Sequence, residues 1–234
     1  MPATSNKHRL LSDLLSAVPN HKEVLESETG KPVLEEFIYG LCREGTNQEK
    51  ADRAYRNLCE QFFDWNEIRV SSIREIADAL GDVPHAEAKA QRIIQFLQEV
   101  FETTFSFNLD PLNKKGLKHA AKQLGRYQTA NEYSVAWVVQ RCLGGHALPL
   151  DAPSVRVLCR LGLVEEHTDT ETARASLEHQ IPKAKGKLFT EAVSEIAISV
   201  CKEIEPQCTQ CPLHSHCPSG ANLNGKVPQH AKAR

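Results

Sequence analysis

No stretch of this 234-residue chain approaches the ~18 consecutive apolar residues of a membrane-spanning helix. The opening segment, MPATSNKHRLLSDLLSAVPN, has neither a long apolar centre nor a small-residue cleavage site, so it does not read as a secretory signal. Apolar–polar alternation of the kind that marks half-buried strands is missing. So are low-complexity tracts and fixed-period repeats. The net charge is only −2 and the pI about 6.6, so no global excess of positive charge advertises a nucleic-acid binder. Any such affinity must come from a local patch. These absences point to no membrane association and to a cytoplasmic location, where thiols stay reduced.

What is present is helical periodicity. Leu10, Leu11, Leu14, Leu15 and Val18 form one apolar stripe; Leu34, Phe37, Ile38 and Leu41 a second; Ala51, Ala54, Tyr55, Leu58 and Phe62 a third. Ile73, Ile76, Ala77 and Leu80 follow, then Ile93, Leu97, Val100 and Phe101. Later stripes are Leu117, Ala120, Ala121 and Leu124; Val135, Val138, Val139 and Cys142; and Phe189, Val193, Ile196 and Val200. All fit the i, i+3, i+4, i+7 spacing of amphipathic helices. The expectation is an all-α protein of about ten helices. The small, polar, basic tail over 218–234 is expected to be flexible.

Eight cysteines divide into two groups. Cys42, Cys59, Cys142 and Cys159 lie scattered among apolar residues and read as small buried hydrophobes. Cys201, Cys208, Cys211 and Cys217 read C-x6-C-x2-C-x5-C, a spacing that should bring four sulfurs to one point. Four thiolates suit zinc or an iron–sulfur cluster. Structural zinc sites usually draw on two close pairs far apart in sequence, whereas here one close pair has a single cysteine on either side.

Two further segments carry chemistry. NKKGLKHAAKQLGR holds Lys114, Lys115, Lys118, Lys122 and Arg126 with no acid, as a phosphate-contacting helix face or a solvated one would. Lys183, Lys185 and Lys187 form a second basic group, read as a turn preceding the helix that leads to the cysteines. Between them, a helix over roughly 133–143 should stop at Gly144-Gly145. Asp151 then stands near the cap of a new helix with Pro153 in its first turn, where backbone N–H groups and the helix dipole keep a carboxylate ionised.

The cysteine spacing resembles the [4Fe-4S] loop of the endonuclease III family of helix-hairpin-helix DNA glycosylases. LDAPSVRVLCRLG resembles the segment that carries that family's catalytic aspartate, and LEEFIYGLCREGTNQEKADRAY its early helix pair. The resemblance covers about residues 33–217. It implies a two-lobed all-α fold, with one lobe over 33–147 and a cluster lobe over 1–32 plus 148–217, with double-stranded DNA bound across the cleft by a monomeric, nucleoid-associated protein. It also implies a [4Fe-4S] cluster on Cys201, Cys208, Cys211 and Cys217, Asp151 as the catalytic carboxylate, Tyr133 as its companion, and Glu44 at the position of a DNA-probing glutamine. Thr129 and Asn131 fall in the hairpin that anchors DNA.

The departures bear on the reaction. The family hairpin reads L-P-G-x-G-x-[K/Y/S]-[ST]-A, while residues 127–135 read YQTANEYSV and lack both glycines, which let backbone N–H groups approach a phosphate. Tyr133 stands where bifunctional members keep a lysine nucleophile. No lysine occurs between Lys122 and Lys183 to form a Schiff base with the sugar. The expected activity is therefore monofunctional hydrolysis of the N-glycosidic bond of a damaged or mismatched base. A bifunctional glycosylase/AP lyase, or a non-catalytic binding protein that retains the cluster fold, are the alternatives. Adenine glycosylases that read oxidised guanine usually add a C-terminal domain, and the chain ends soon after Cys217, which disfavours that substrate.

Overall fold

The computed structural model describes residues 3–16, 30–165 and 167–220. Among them are eleven α-helices and no strand. They are α1 (Ala3–Ser16), α2 (Val33–Arg43), α3 (Gln48–Gln61), α4 (Trp65–Val70), α5 (Ile73–Leu80), α6 (Ala86–Thr104), α7 (Leu117–Leu124), α8 (Glu132–Arg141), α9 (Ala152–Arg160), α10 (Thr170–Gln180) and α11 (Lys183–Glu195). Val18 and most of the basic tail lie outside the described residues. No helix among the described residues is long and apolar enough to cross a membrane.

Short polar residues start many of these helices. Asn47, Asp64, Ser72, Asn131, Asp151 and Asp169 each accept a backbone N–H from the first turn. Ser72 with Glu75, and Asn131 with Ser134, complete reciprocal capping boxes. After α8 the chain turns at Gly144, whose φ of 62° is left-handed.

The chain divides into two compact units, Ser27–Pro149 and Met1–Glu26 with Leu150–Arg234. In the first unit α2 is central. Every residue of it but Glu35 is buried, so it is covered on all sides rather than along one stripe. Phe37 stacks on Phe96 of α6, ring centroids 3.9 Å apart. A Cβ on Gly40 would stand 3.0 Å from the Trp137 ring, so glycine lets α2 and α8 approach closely. The Trp137 indole in turn donates to Glu36 Oε1 at 2.6 Å.

Two stripe residues expected in the core are exposed. Leu117 and Ile73 are each 43% accessible. Each is the first residue of an eight-residue helix, and side chains lean back toward the helix N-terminus, past the edge of the core.

In the second unit α1 and α9 pack on α11, and α10 on α9. The Lys183–Lys185–Lys187 group does not precede a helix but forms the first turns of α11, because Pro182 sets the entry at φ −58°. The end of α11 widens into a π-turn over Ile196–Val200, closed by the Cys201 N–H donating to Ile196 O at 2.6 Å.

Candidate functional site

In the Ser27–Pro149 unit, α7 and α8 pack together and a short hairpin joins them. The N–H groups of Arg126, Tyr127 and Ala130 donate to the carbonyls of Gln123, Leu124 and Tyr127 at 3.2, 3.3 and 3.0 Å. The N–H of Gln128 instead donates to the carboxylate of Glu99, on α6, at 2.7 Å. Lys114, Lys115, Lys118, Lys122 and Arg126 are all exposed along this stretch.

Glu44, just past the end of α2, uses both carboxylate oxygens inside the unit. Arg92 Nη1 donates to Oε2 and Asn131 Nδ2 to Oε1, each at 2.7 Å. Arg92 Nη2 also reaches the Thr129 carbonyl at 3.2 Å. One turn earlier on α6, Lys89 places its ammonium on the carbonyls of Leu41 and Glu44 at 2.6 Å and of Cys42 at 3.3 Å. These contacts satisfy the carbonyls that the C-terminus of α2 leaves open. Thr129 is buried, and Asn131 caps α8. Tyr133 is 5% exposed, with its ring stacked 6.0 Å from that of Trp137.

In the other unit, Asp151 is the N-cap of α9. Its Oδ1 accepts the Ser154 N–H at 2.9 Å and the Ser154 hydroxyl at 2.5 Å, and the residue is buried. The later turns of α9 hold the start of the cysteine loop. Arg156 donates to the carbonyls of Ala197 and Cys201 at 3.0 Å. Arg160 Nη1 reaches Lys202 O at 2.6 Å and lies 3.4 Å from Cys201 Sγ, while its Nη2 reaches Glu203 O at 3.1 Å.

Cys201, Cys208, Cys211 and Cys217 line a single pocket, whose walls include Val157, Leu161, Ile196 and Leu213. Burial pushes the Cys211 and Cys217 thiols up. The backbone N–H of Leu213 on Cys211, and those of Ser219 and Gly220 on Cys217, oppose this; neighbouring sulfurs raise both thiols further. The expected convergence of four sulfurs on one point is not what the structure has. Among the described residues no three His, Cys, Asp or Glu side chains stand close enough together for one metal ion. The short connections let each sulfur reach the same pocket but hold them around its wall.

Sequence reasoning did not single out Lys89, Arg92, Glu99, Ser154, Arg156 or Arg160. Ser154, three residues after a candidate cap, and the i, i+4 arginine pair are visible in the sequence. The partners of Lys89, Arg92 and Glu99 are not, because each lies dozens of residues away.

No family model matches the chain. Solved structures do. It superposes on endonuclease III trapped covalently on DNA with a TM-score of 0.68, covering 92% of this chain and 95% of that one at 17% identity. On a thermostable thymine-DNA glycosylase the TM-score is 0.66, covering 95% and 100% at 17% identity. The fold is that of the endonuclease III-like helix-hairpin-helix DNA glycosylases. Curated relatives include the endonuclease III homolog of Encephalitozoon cuniculi, 26% identical over 109 residues, 46% of this chain and 45% of that one. Another is the DNA glycosylase/AP lyase ROS1 of Arabidopsis thaliana, 23% identical over 211 residues, 81% of this chain and 15% of that one. The chain spans less than half the length of these curated relatives.

Proposed function

We propose that the chain is a DNA N-glycosylase of the endonuclease III type, acting as a monomer on double-stranded DNA and hydrolysing the bond between a damaged or mismatched base and its deoxyribose. The observation that carries this reading is the placement of Asp151 at the N-cap of α9 in a chain with the glycosylase fold. Breaking the C1′–N bond builds positive charge on the sugar, and a fixed carboxylate stabilises it. The first-turn N–H and the Ser154 hydroxyl hold Asp151 in one orientation. A water then supplies the new hydroxyl at C1′, and the base departs with the proton. The target base must leave the stack to be reached.

Cys201, Cys208, Cys211 and Cys217 would hold a [4Fe-4S] cluster. The donor set fits: four sulfurs line one pocket, with amide N–H groups directed at two of them and Arg160 beside a third. When bound, the cluster supplies a covalent tie for a loop too short to build a core of its own. Arg156 and Arg160 connect that loop to the helix that Asp151 caps.

Lys114, Lys115, Lys118, Lys122 and Arg126 supply phosphate contacts on this reading. Tyr133 contributes by setting the start of α8 through its stack on Trp137. A lyase activity is the second reading, favoured by the relative described as a glycosylase/AP lyase. Purified protein incubated with a panel of lesion-bearing duplexes separates the readings. Strand breaks only after alkali identify a monofunctional glycosylase and breaks without alkali a lyase. Neither, with binding retained, identifies a binding protein.

A further inference from the structure

We propose that the Gln128 N–H is a DNA-phosphate site and that the carboxylate of Glu99 is its built-in competitor, lowering the affinity of the chain for duplex DNA. This rests on the DNA-binding reading above. The hairpin N–H groups of Arg126, Tyr127 and Ala130 are tied to carbonyls of their own turn, whereas that of Gln128 points to an anion, the Glu99 carboxylate, 2.7 Å away. The surroundings of that N–H suit an anion from outside. Lys118, Lys122, Arg126 and Gln128 itself are exposed, and residues 113–126 contain no acid. A backbone N–H in a turn beside such a basic run favours a phosphate as it favours a carboxylate.

A second feature shows that Glu99 holds this position at a cost. Its other oxygen, Oε1, is buried and has no hydrogen-bond partner among the described residues. A carboxylate oxygen withdrawn from water without a partner is unfavourable. When a phosphodiester takes the Gln128 N–H, the Glu99 side chain can swing out and hydrate both oxygens. The carboxylate therefore does more than satisfy one amide. It repels an incoming phosphate until displaced, and it takes the place of the approach that hairpin glycines would otherwise permit.

The test measures duplex binding against salt concentration for the wild type, Glu99→Ala and Glu99→Gln. Glu99→Ala frees the N–H and should bind an undamaged duplex about tenfold more tightly, the worth of one charge-assisted hydrogen bond. Its log–log salt slope should steepen by about 0.9, one added phosphate contact. Glu99→Gln keeps an acceptor but loses the charge, so it should fall between the two. In NMR spectra of Glu99→Ala the Gln128 amide should shift on adding duplex, and shift less with inorganic phosphate alone if the neighbouring basic residues are needed to seat a DNA strand. Unchanged affinity and slope in both variants, with the wild type binding, overturn this inference and leave the glycosylase reading standing. Failure of all three proteins to bind duplex removes the DNA reading and this inference together.

Discussion

The Asn131 side chain donates to Glu44 Oε1 at 2.7 Å across 87 residues of sequence, while its own Oδ1 caps α8 by accepting the Ser134 N–H at 2.9 Å. One amide thus fixes both the start of α8 and the turn after α2. With Arg92 on its other oxygen, Glu44 is built into the unit. The geometry favours an organising role over a probe reaching into DNA.

Glu44→Gln tests that role. It keeps an acceptor for Asn131 but leaves the Arg92 charge, 28% exposed, without its partner. Unfolding by urea should show a loss on the order of 1–2 kcal/mol. Duplex affinity should change less than about threefold, below 1 kcal/mol. A stable variant that binds DNA much more weakly would restore the probe role.

Asp151→Asn should keep the fold, because asparagine caps a helix about as well as aspartate. Base release should fall by at least about a hundredfold, the usual scale for removing one electrostatic stabiliser from a reaction centre. Single-turnover assays under saturating enzyme read this directly. Undiminished release would remove Asp151 from the chemistry.

Anaerobically purified protein should be yellow-brown and carry about four irons per chain. Cys211→Ser should lose most of that iron and expose the C-terminal unit to protease, since metal binding and folding are coupled in so short a loop. Stoichiometric zinc without iron in the wild type would overturn the cluster.

Cys42 gives a pH signature. Burial pushes its thiol from 9.0 to about 12, with the nearby Lys89 charge opposing. The folded state therefore holds the proton after the unfolded chain, whose thiols titrate near ~8.5, has released it. Stability from this group is complete below that pH and declines as pH rises toward 12, by up to about 1.4 kcal/mol per pH unit. Urea midpoints measured between pH 8 and pH 10.5 should fall more steeply for the wild type than for Cys42→Ala. Equal slopes would show that the thiol is not held neutral.

Local rules were enough for most of the helices, though not for α4 or α10. Apolar spacing of three and four marked α2, α3, α6 and α8, and Asp151-Ala152-Pro153 marked the start of α9, because caps and stripes are written within a few residues of where they act. The cysteine spacing put four sulfurs on one loop and in one pocket, but not at one point, where the spacing alone had placed them. Tertiary structure decided what those groups face. Whether Glu44 probes DNA or binds Arg92 and Asn131, and whether the Gln128 N–H is open or held by Glu99, depends on side chains 29 to 87 residues away. Charge and hydrogen bonding act over a few ångströms of space, and sequence order alone does not record which distant residues fold to within that range.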